Sequence, residues 1–264
     1  MKDTGKMRFF DARPGDADID SLAGIAKNVL SSGKYILGKT VSDFEERCET
    51  YLNVANAIGV SSGTDALTVA LMALNIGPGD EVICPAFSFI ASATCISRLG
   101  ATPIFCDADP SYFTLDLEHL GNLILSKTRA IIVVHLFGQL EDMNVIKGIT
   151  EPFGTPIIED TAQGFGTIQL GEQSCERSIS SRPQQLAKAY AGSIGTIGCF
   201  SFFPTKNLGG FGDGGLVTTH DEALAKKMHS IRQHGRIDRD SFNIIGGNFR
   251  LDPLQAALLS YKMK

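Results

Sequence analysis

Ala57-Ile58-Gly59-Val60-Ser61-Ser62-Gly63-Thr64-Asp65-Ala66-Leu67-Thr68-Val69-Ala70-Leu71 is the stretch that decides the fold class. A short apolar run gives way to glycine and hydroxyl residues, and these open an almost wholly apolar segment of helical length. A buried strand that turns straight into a buried helix is half of a β-α-β unit. The rhythm repeats downstream: strands are expected at Ala57–Val60, Glu81–Pro85, Pro103–Asp107, Ala130–Leu136, Pro156–Asp160, Gly198–Phe203 and Gly215–Thr218, with helices at Thr64–Leu74, Ile90–Leu99, Leu117–Leu125 and Glu141–Ile149. Upstream, Ile19–Leu30 and Val41–Leu52 read as two helices, and Leu254–Met263 as another. Continuous apolar strands alternating with helices predict an α/β fold with three αβα layers around a mostly parallel mixed sheet. Ligands of such sheets bind beyond the carboxyl ends of the strands, so the polar residues just after strands deserve the closest reading.

The expected organisation is an N-terminal arm with helices (1–54), a large domain (55–247) and the start of a further region (248–264). The last helix runs to the final residue without a stop signal, as though a longer protein continued there. Gly171–Gly192 is polar and aperiodic and reads as an exposed loop.

Composition narrows the function. Lys plus Arg number 24 against 29 Asp plus Glu, a formal charge of −5, and the isoelectric point is about 5.5. That balance argues against a nucleic-acid or anionic-membrane partner, whose binding rests on basic patches. The sequence has no apolar run of membrane-spanning length and no secretory leader pattern, so a soluble, cytoplasmic protein is expected. The 6 cysteines are scattered without a C-x-x-C pair, which reads as buried thiols and predicts no metal site.

Two motifs compete for attention. Gly33-Lys34-Tyr35-Ile36-Leu37-Gly38-Lys39-Thr40 matches the phosphate-binding pattern G-x-x-x-x-G-K-[ST] of NTPases. Such a loop must leave a buried strand, whereas a helical stretch precedes this one. Gly210-Phe211-Gly212-Asp213-Gly214-Gly215 matches G-x-G-x-x-G, but a strand rather than a helix follows it.

Four other segments fall at strand ends. Ser61-Ser62-Gly63-Thr64 opens a helix and suits an anion, although the same residues serve as ordinary N-caps. Ile157-Ile158-Glu159-Asp160-Thr161-Ala162-Gln163 ends a buried strand in carboxylates; an acid there stabilises a protonated ring nitrogen, caps the next helix or holds a metal. Gly198-Cys199-Phe200-Ser201-Phe202-Phe203-Pro204-Thr205-Lys206-Asn207-Leu208-Gly209-Gly210 sets a lone lysine in aromatic and glycine-rich surroundings, where partial burial would favour the neutral, nucleophilic amine over a solvated surface role. Pro85-Ala86-Phe87-Ser88-Phe89 offers rings to a flat ligand or to the core.

Taken in order with Arg232-Gln233-His234-Gly235 and Asn248-Phe249-Arg250-Leu251-Asp252, these segments resemble the DegT/DnrJ/EryC1/StrS family of pyridoxal-phosphate-dependent sugar aminotransferases. The resemblance runs from Gly33 to Ala257, and the Lys206 segment carries most of its specificity. It implies the fold of pyridoxal-phosphate transferases of fold type I and a transfer of an amino group, typically from glutamate, to a nucleotide-linked keto-sugar. Lys206 would form the Schiff base with the cofactor and Asp160 would pair with its ring nitrogen. Gln163 would lie by the phenolic oxygen, Phe89 would stack on the ring, and Gly63, Thr64 and Ser201 would hold the phosphate. Asn248 would reach the phosphate from a neighbouring subunit, which implies a homodimer. Gly33, Tyr35, Thr205 and Arg250 resemble the family's contacts to the nucleotide-sugar. Two features depart from the family pattern: the extra length of 171–192, and a C-terminal domain present only as its first helix. The alternatives are a non-catalytic, regulatory descendant of the fold and an NTPase built on Gly38-Lys39-Thr40.

Overall fold

A computed structural model describes residues 11–170 and 188–264. The strands of the main sheet are β1 (Asn56–Val60), β2 (Glu81–Pro85), β3 (Thr102–Cys106), β4 (Thr128–Val134), β5 (Ile157–Asp160), β8 (Ile197–Ser201) and β9 (Gly215–Thr219), in the spatial order β1-β9-β8-β5-β4-β2-β3. From β8 through β5, β4 and β2 to β3 every pairing is parallel, while β9 runs antiparallel to both β8 and β1. Two short strands, β6 (Ile168–Leu170) and β7 (Lys188–Tyr190), pair as a separate antiparallel ribbon.

Strand periodicity sorts the core into two faces. Along β4, Ala130 and Ile132 face one side with β5's Ile158, and there they meet α3 (Gly63–Ala73), α4 (Ala91–Arg98) and α7 (Glu222–Ile231) through Leu67, Leu71, Ile96 and Met228. Ile131 and Val133 face the other side with Ile157, against α5 (Leu117–Leu123) and α6 (Met143–Thr150) through Leu120, Met143 and Ile146. Each fully buried side chain of this size stabilises the fold by about 1.5–3 kcal/mol relative to exposure. A third cluster closes the β1 end: Val41, Phe44 and Cys48 of α2 (Lys39–Leu52) pack with Phe200 and Leu216 of the sheet and with Ala256 and Leu259 of α8 (Pro253–Lys262). The remaining helix, α1 (Asp16–Ser32), also packs on α8.

The seven expected strands of the sheet are present, β2 with the expected bounds and the others with ends shifted by one or more residues. β4 stops at Val134, before the expected Leu136, because Phe137 takes a left-handed conformation (φ 56°) in a tight turn, Leu136–Gly138. Three elements are additions to the sequence reading: α7, capped by Asp221, and the ribbon strands β6 and β7. Part of the segment expected as a loop is therefore ordered: Lys188–Tyr190 pairs with β6, and Gly192 lies in a turn with φ +83°. Residues 171–187, with Cys175, and the first ten residues lie outside the described part. The phosphate-loop motif lacks the strand it needs: Gly33 is the left-handed C-cap of α1 and Gly38 precedes α2, so the motif joins two helices. The glycine run 210–215 leads into β9, and no helix opens there.

Among the described residues no His, Cys, Asp and Glu group is arranged to hold a metal ion, and no helix is long and apolar enough to cross a membrane. The five described cysteines are buried and unbridged, and burial pushes thiols such as Cys84 and Cys95 up to about 12.

Candidate active site

β5 delivers Asp160 at its carboxyl end, in the middle of the sheet. The residue parity that puts Ile158 against α3 and α4 turns the Asp160 side chain the same way, and Ser92 of α4 donates to its Oδ2 at 3.2 Å. The backbone N–H of Ala162 donates to Oδ1 at 3.2 Å. Burial pushes the Asp160 carboxyl upward, while these two donors and the ammonium of Lys206 pull it back. The Lys206 ammonium is thus among the charges that act on Asp160. With two long hydrogen bonds and nearly complete burial, the carboxylate is short of positive partners, and a protonated ring nitrogen would supply one.

Lys206 follows β8 on a loop that folds back on itself. Its own N–H donates to Phe203 O at 2.8 Å, and Gly210 N–H donates to Phe202 O at 2.7 Å. A β-carbon at Gly209 would strike the Pro204 carbonyl, so the return needs glycine at that position. Phe202 and Leu208 are buried under the loop, and Lys206 itself is half-buried. Lys206 borders a cavity of about 520 Å³ walled by Pro204, Asn207, Phe211, Arg13, Tyr261 and Lys262. Lys206 is therefore anchored through its backbone and borders open space.

A third element is the start of α3. Ser62 caps it by accepting from Asp65 N–H at 3.0 Å, and Ser61 Oγ donates to Asp65 Oδ2 at 2.7 Å. Among the described residues the N–H groups of Gly63 and Thr64 have no acceptor. They point out of the positive end of the helix dipole, the arrangement that binds phosphate. Gly63 lies against Ser201 at the end of β8: a β-carbon on it would sit 2.6 Å from Ser201 Cβ. Helix start, serine and lysine loop thus converge at one end of the sheet, and their residues fit a planar, phosphorylated, cationic heterocycle.

The other expected site residues divide. Gln163 gives its Oε1 to Phe137 N–H at 2.6 Å, which leaves its amide N–H groups to donate elsewhere. Phe89 is 71% exposed just ahead of α4. Asn248 and Arg250 lie on the segment that docks along β1: Arg250 bridges Val60, Phe249 O accepts from Ser61 N–H at 3.2 Å, and Asn248 is exposed beside Gln233. Thr205 is exposed next to Lys206. Gly33 and Tyr35 serve the end of α1, where Gly33 N–H and the Tyr35 hydroxyl both donate to Leu30 O. Ser92 and His135 are additions to what the sequence offers, and Glu159, expected only as one of the carboxylates ending the strand, gains its partners in the fold. The i, i+4 spacing of Ser88 and Ser92, whose hydroxyls lie 3.3 Å apart, is the one local signal for either addition.

A lysine loop after β8, a buried aspartate ending the central strand and a helix start with open N–H groups, gathered at one end of a mostly parallel sheet, have the layout of the pyridoxal-phosphate-dependent aminotransferase fold. The family model described as the DegT/DnrJ/EryC1/StrS aminotransferase family matches residues 18–264, and the chain belongs to that family. It is 39% identical to the UDP-2-acetamido-2-deoxy-3-oxo-D-glucuronate aminotransferase of Pseudomonas aeruginosa, over 98% of this chain and 67% of the relative. It is 41% identical to a protein of Geobacillus stearothermophilus named a pleiotropic regulatory protein, over 90% of this chain and 59% of the relative. The crystal structure of NtdA from Bacillus subtilis with bound cofactor PMP superposes with a TM-score of 0.85 at 32% identity, over 99% of this chain and 57% of that one. The chain therefore spans 59–67% of the length of the two curated relatives.

Proposed function

We propose that this chain binds pyridoxal phosphate and moves an amino group from an amino acid, with glutamate the expected donor, to a nucleotide-linked keto-sugar on the way to a cell-surface polysaccharide or a secondary metabolite, in the cytoplasm. The observation that carries the reading is the buried Asp160, held by only two donors at 3.2 Å at the end of the central strand, beside a sheet end where the open N–H groups of Gly63 and Thr64 meet Ser201 and the Lys206 loop. When bound, the cofactor supplies an electron sink that allows a proton and an amino group to change carbons.

The chain's own residues divide the remaining work. Lys206 would hold the cofactor at its aldehyde carbon, and its Nζ, once free, would carry the proton. Asp160 keeps the ring nitrogen protonated, because a buried negative charge favours the cationic form next to it. Gln163, with its oxygen committed to Phe137, presents N–H groups to the phenolic oxygen. Phe89 covers one ring face, and Gly63, Thr64 and Ser201 receive the phosphate. Asn248 of a second copy completes the phosphate site, so the working unit is a homodimer. Thr205, Arg250, Gly33 and Tyr35 contact the nucleotide-sugar. Helix α8 begins a region beyond the large domain 55–247, with 1–54 as its N-terminal arm; the docking of α1 and α2 on α8 supports the division.

The test is a spectroscopic titration with pyridoxal phosphate followed by glutamate. The wild type is expected to turn yellow, to be fixed in that state by borohydride, and to lose the band on glutamate addition; Lys206→Ala is expected to give no such band. A wild type that stays colourless rules the reading out. A second reading, a regulatory descendant that binds the cofactor without transamination, is favoured by the 41% identity to a protein named as a regulator. It would show as a yellow protein whose band glutamate never changes.

A further inference from the structure

We infer that Glu159, together with His135, is a positioning residue that sets the cofactor pocket from the opposite face of the sheet. The inference rests on the proposed cofactor reading and adds residues that touch neither cofactor nor substrate.

Glu159 and Asp160 are successive residues of β5, so their side chains leave the sheet on opposite faces. Glu159 sits on the face of Ile157, where an apolar residue would be expected, and is 0% exposed. Its carboxylate is fully engaged. Oε1 accepts from the N–H groups of Ile194 (2.8 Å) and Gly195 (2.5 Å), and Oε2 accepts from Gly192 N–H (2.9 Å) and from His135 Nε2 (2.8 Å). The proton assignment follows from the pattern: Glu141 N–H donates to His135 Nδ1 at 3.3 Å, which puts the imidazole hydrogen on Nε2, facing Glu159. Four donors on one carboxylate make the charged form the natural one there, even without contact with solvent.

What these donors hold matters for the pocket. Gly192, Ile194 and Gly195 form the turn that enters β8, the strand that leads to Ser201 and Lys206. Nothing but glycine fits at 192, where φ is +83° and a β-carbon would enter the Phe200 ring. The Gly192 carbonyl is fixed as well, by Thr218 Oγ1 of β9 at 2.5 Å. His135, at the end of β4, uses its ring on Glu159 and its backbone N–H on the carbonyl of Asp160 at 3.1 Å. On the other side, Thr161 N–H donates to Cys199 O of β8 at 2.7 Å. One buried carboxylate thus ties together β4, β5 and the entry to β8, the strands that carry Asp160 and lead to Ser201 and Lys206. A buried charge is costly where an apolar residue would pack, and it is a stiff and directional anchor in return.

The experiment compares Glu159→Gln, His135→Asn and wild type in the full chain by pyridoxal-phosphate dissociation constant and by visible circular dichroism per bound cofactor, with thermal unfolding of the cofactor-free proteins alongside. Glu159→Gln is expected to weaken cofactor binding by roughly tenfold or more, as is usual when the support of a ligand-holding group is removed. The induced visible ellipticity should fall with it, while the variant still melts cooperatively. His135→Asn leaves the carboxylate and the three turn N–H bonds in place and should move both readouts in the same direction by less. Wild-type affinity and ellipticity in the folded variants overturn the inference. If Glu159→Gln fails to fold, His135→Asn decides alone on the same criterion. Failure of both to fold also overturns it, because the network would then be a folding requirement. Lys206→Ala keeps the two claims apart: a visible cofactor band surviving in that variant defeats the cofactor reading itself, whatever Glu159 does.

Discussion

Gly63 and Ser201 meet with no room for one more carbon: a methyl group on the glycine would lie 2.6 Å from the serine's Cβ and 3.1 Å from its Oγ. The contact brings the open N–H groups of α3 beside the hydroxyl that ends β8. Gly63→Ala is expected to push the two apart and to weaken pyridoxal-phosphate binding by about 1–3 kcal/mol, the usual range for an overpacked contact. Because the strain lies at the pocket rim, the cofactor-free protein should melt within a few degrees of wild type. Fluorescence titration of the cofactor together with thermal unfolding checks both halves.

Glu45 of α2 is the hub of a second buried charge network. Its Oε1 accepts from Gly59 N–H of β1 at 2.7 Å and from Arg232 Nη1 at 2.5 Å, and the same Nη1 donates to Gly59 O at 2.9 Å. Glu45→Ala strands the guanidinium, which is 5% exposed, without its countercharge. The expected cost is about 3–5 kcal/mol, read from urea unfolding midpoints. Replacing both partners by apolar residues should recover a good part of that loss.

Glu141 gives a pH dependence of defined sign. Burial raises its carboxyl from the ordinary 4.5 to about 7, partly offset by the N–H of Leu115. The folded protein therefore holds this proton more tightly than the unfolded chain. The stability it contributes is complete below the unfolded value and is lost as pH rises through the folded one. Glu141→Gln, a mimic of the protonated form, should match wild type near pH 4 and gain on it as pH rises to about 8, by on the order of 3 kcal/mol at most. Denaturant melts across that range measure the difference; a gap that does not widen with pH would contradict the assignment.

Two left-handed glycines separate backbone strain from steric exclusion. Gly154→Ala meets open space at φ +61° and should cost only the conformational penalty, about 1–2 kcal/mol. Gly192→Ala adds a collision with the Phe200 ring at φ +83° and should cost several times more or prevent folding. Soluble yield and melting temperature of the pair provide the comparison.

The legible part of the sequence is where one segment carries its own signal. Strand β4 carries an unbroken apolar run from Ala130 to Val134, β5 pairs Ile157 and Ile158 with two carboxylates, and Lys206 stands out because its neighbours are aromatic and glycine residues. Thr219–Asn248 shows a different limit. Its helix α7 is marked by the Asp221 cap and by Leu224, Ala225, Met228 and Ile231 on one face, yet it sits among charges that dilute the pattern. The strands β6 and β7 have three residues each, too few for any period to emerge. The Glu159–His135 pair joins positions 24 apart, and its other donors are backbone groups more than 30 residues further on. No local pattern can announce a bond made by tertiary proximity. Tyr35 shows the converse: a residue matched to a substrate contact by likeness also has a plain structural task, closing the end of α1.

The sheet order has a consequence for biosynthesis. Among the described strands β1 comes earliest in the chain, yet it pairs with the late strand β9, and α2 just before it rests on α8 near residue 264. The nascent chain must therefore keep its first strand and the apolar faces of α2 and α3 waiting until the last third of these residues has been made. Slow, long-range closure of this kind exposes sticky intermediates. Yield in cells should accordingly respond to chaperone supply and to translation speed across residues 200–264 more than to changes in the early helices.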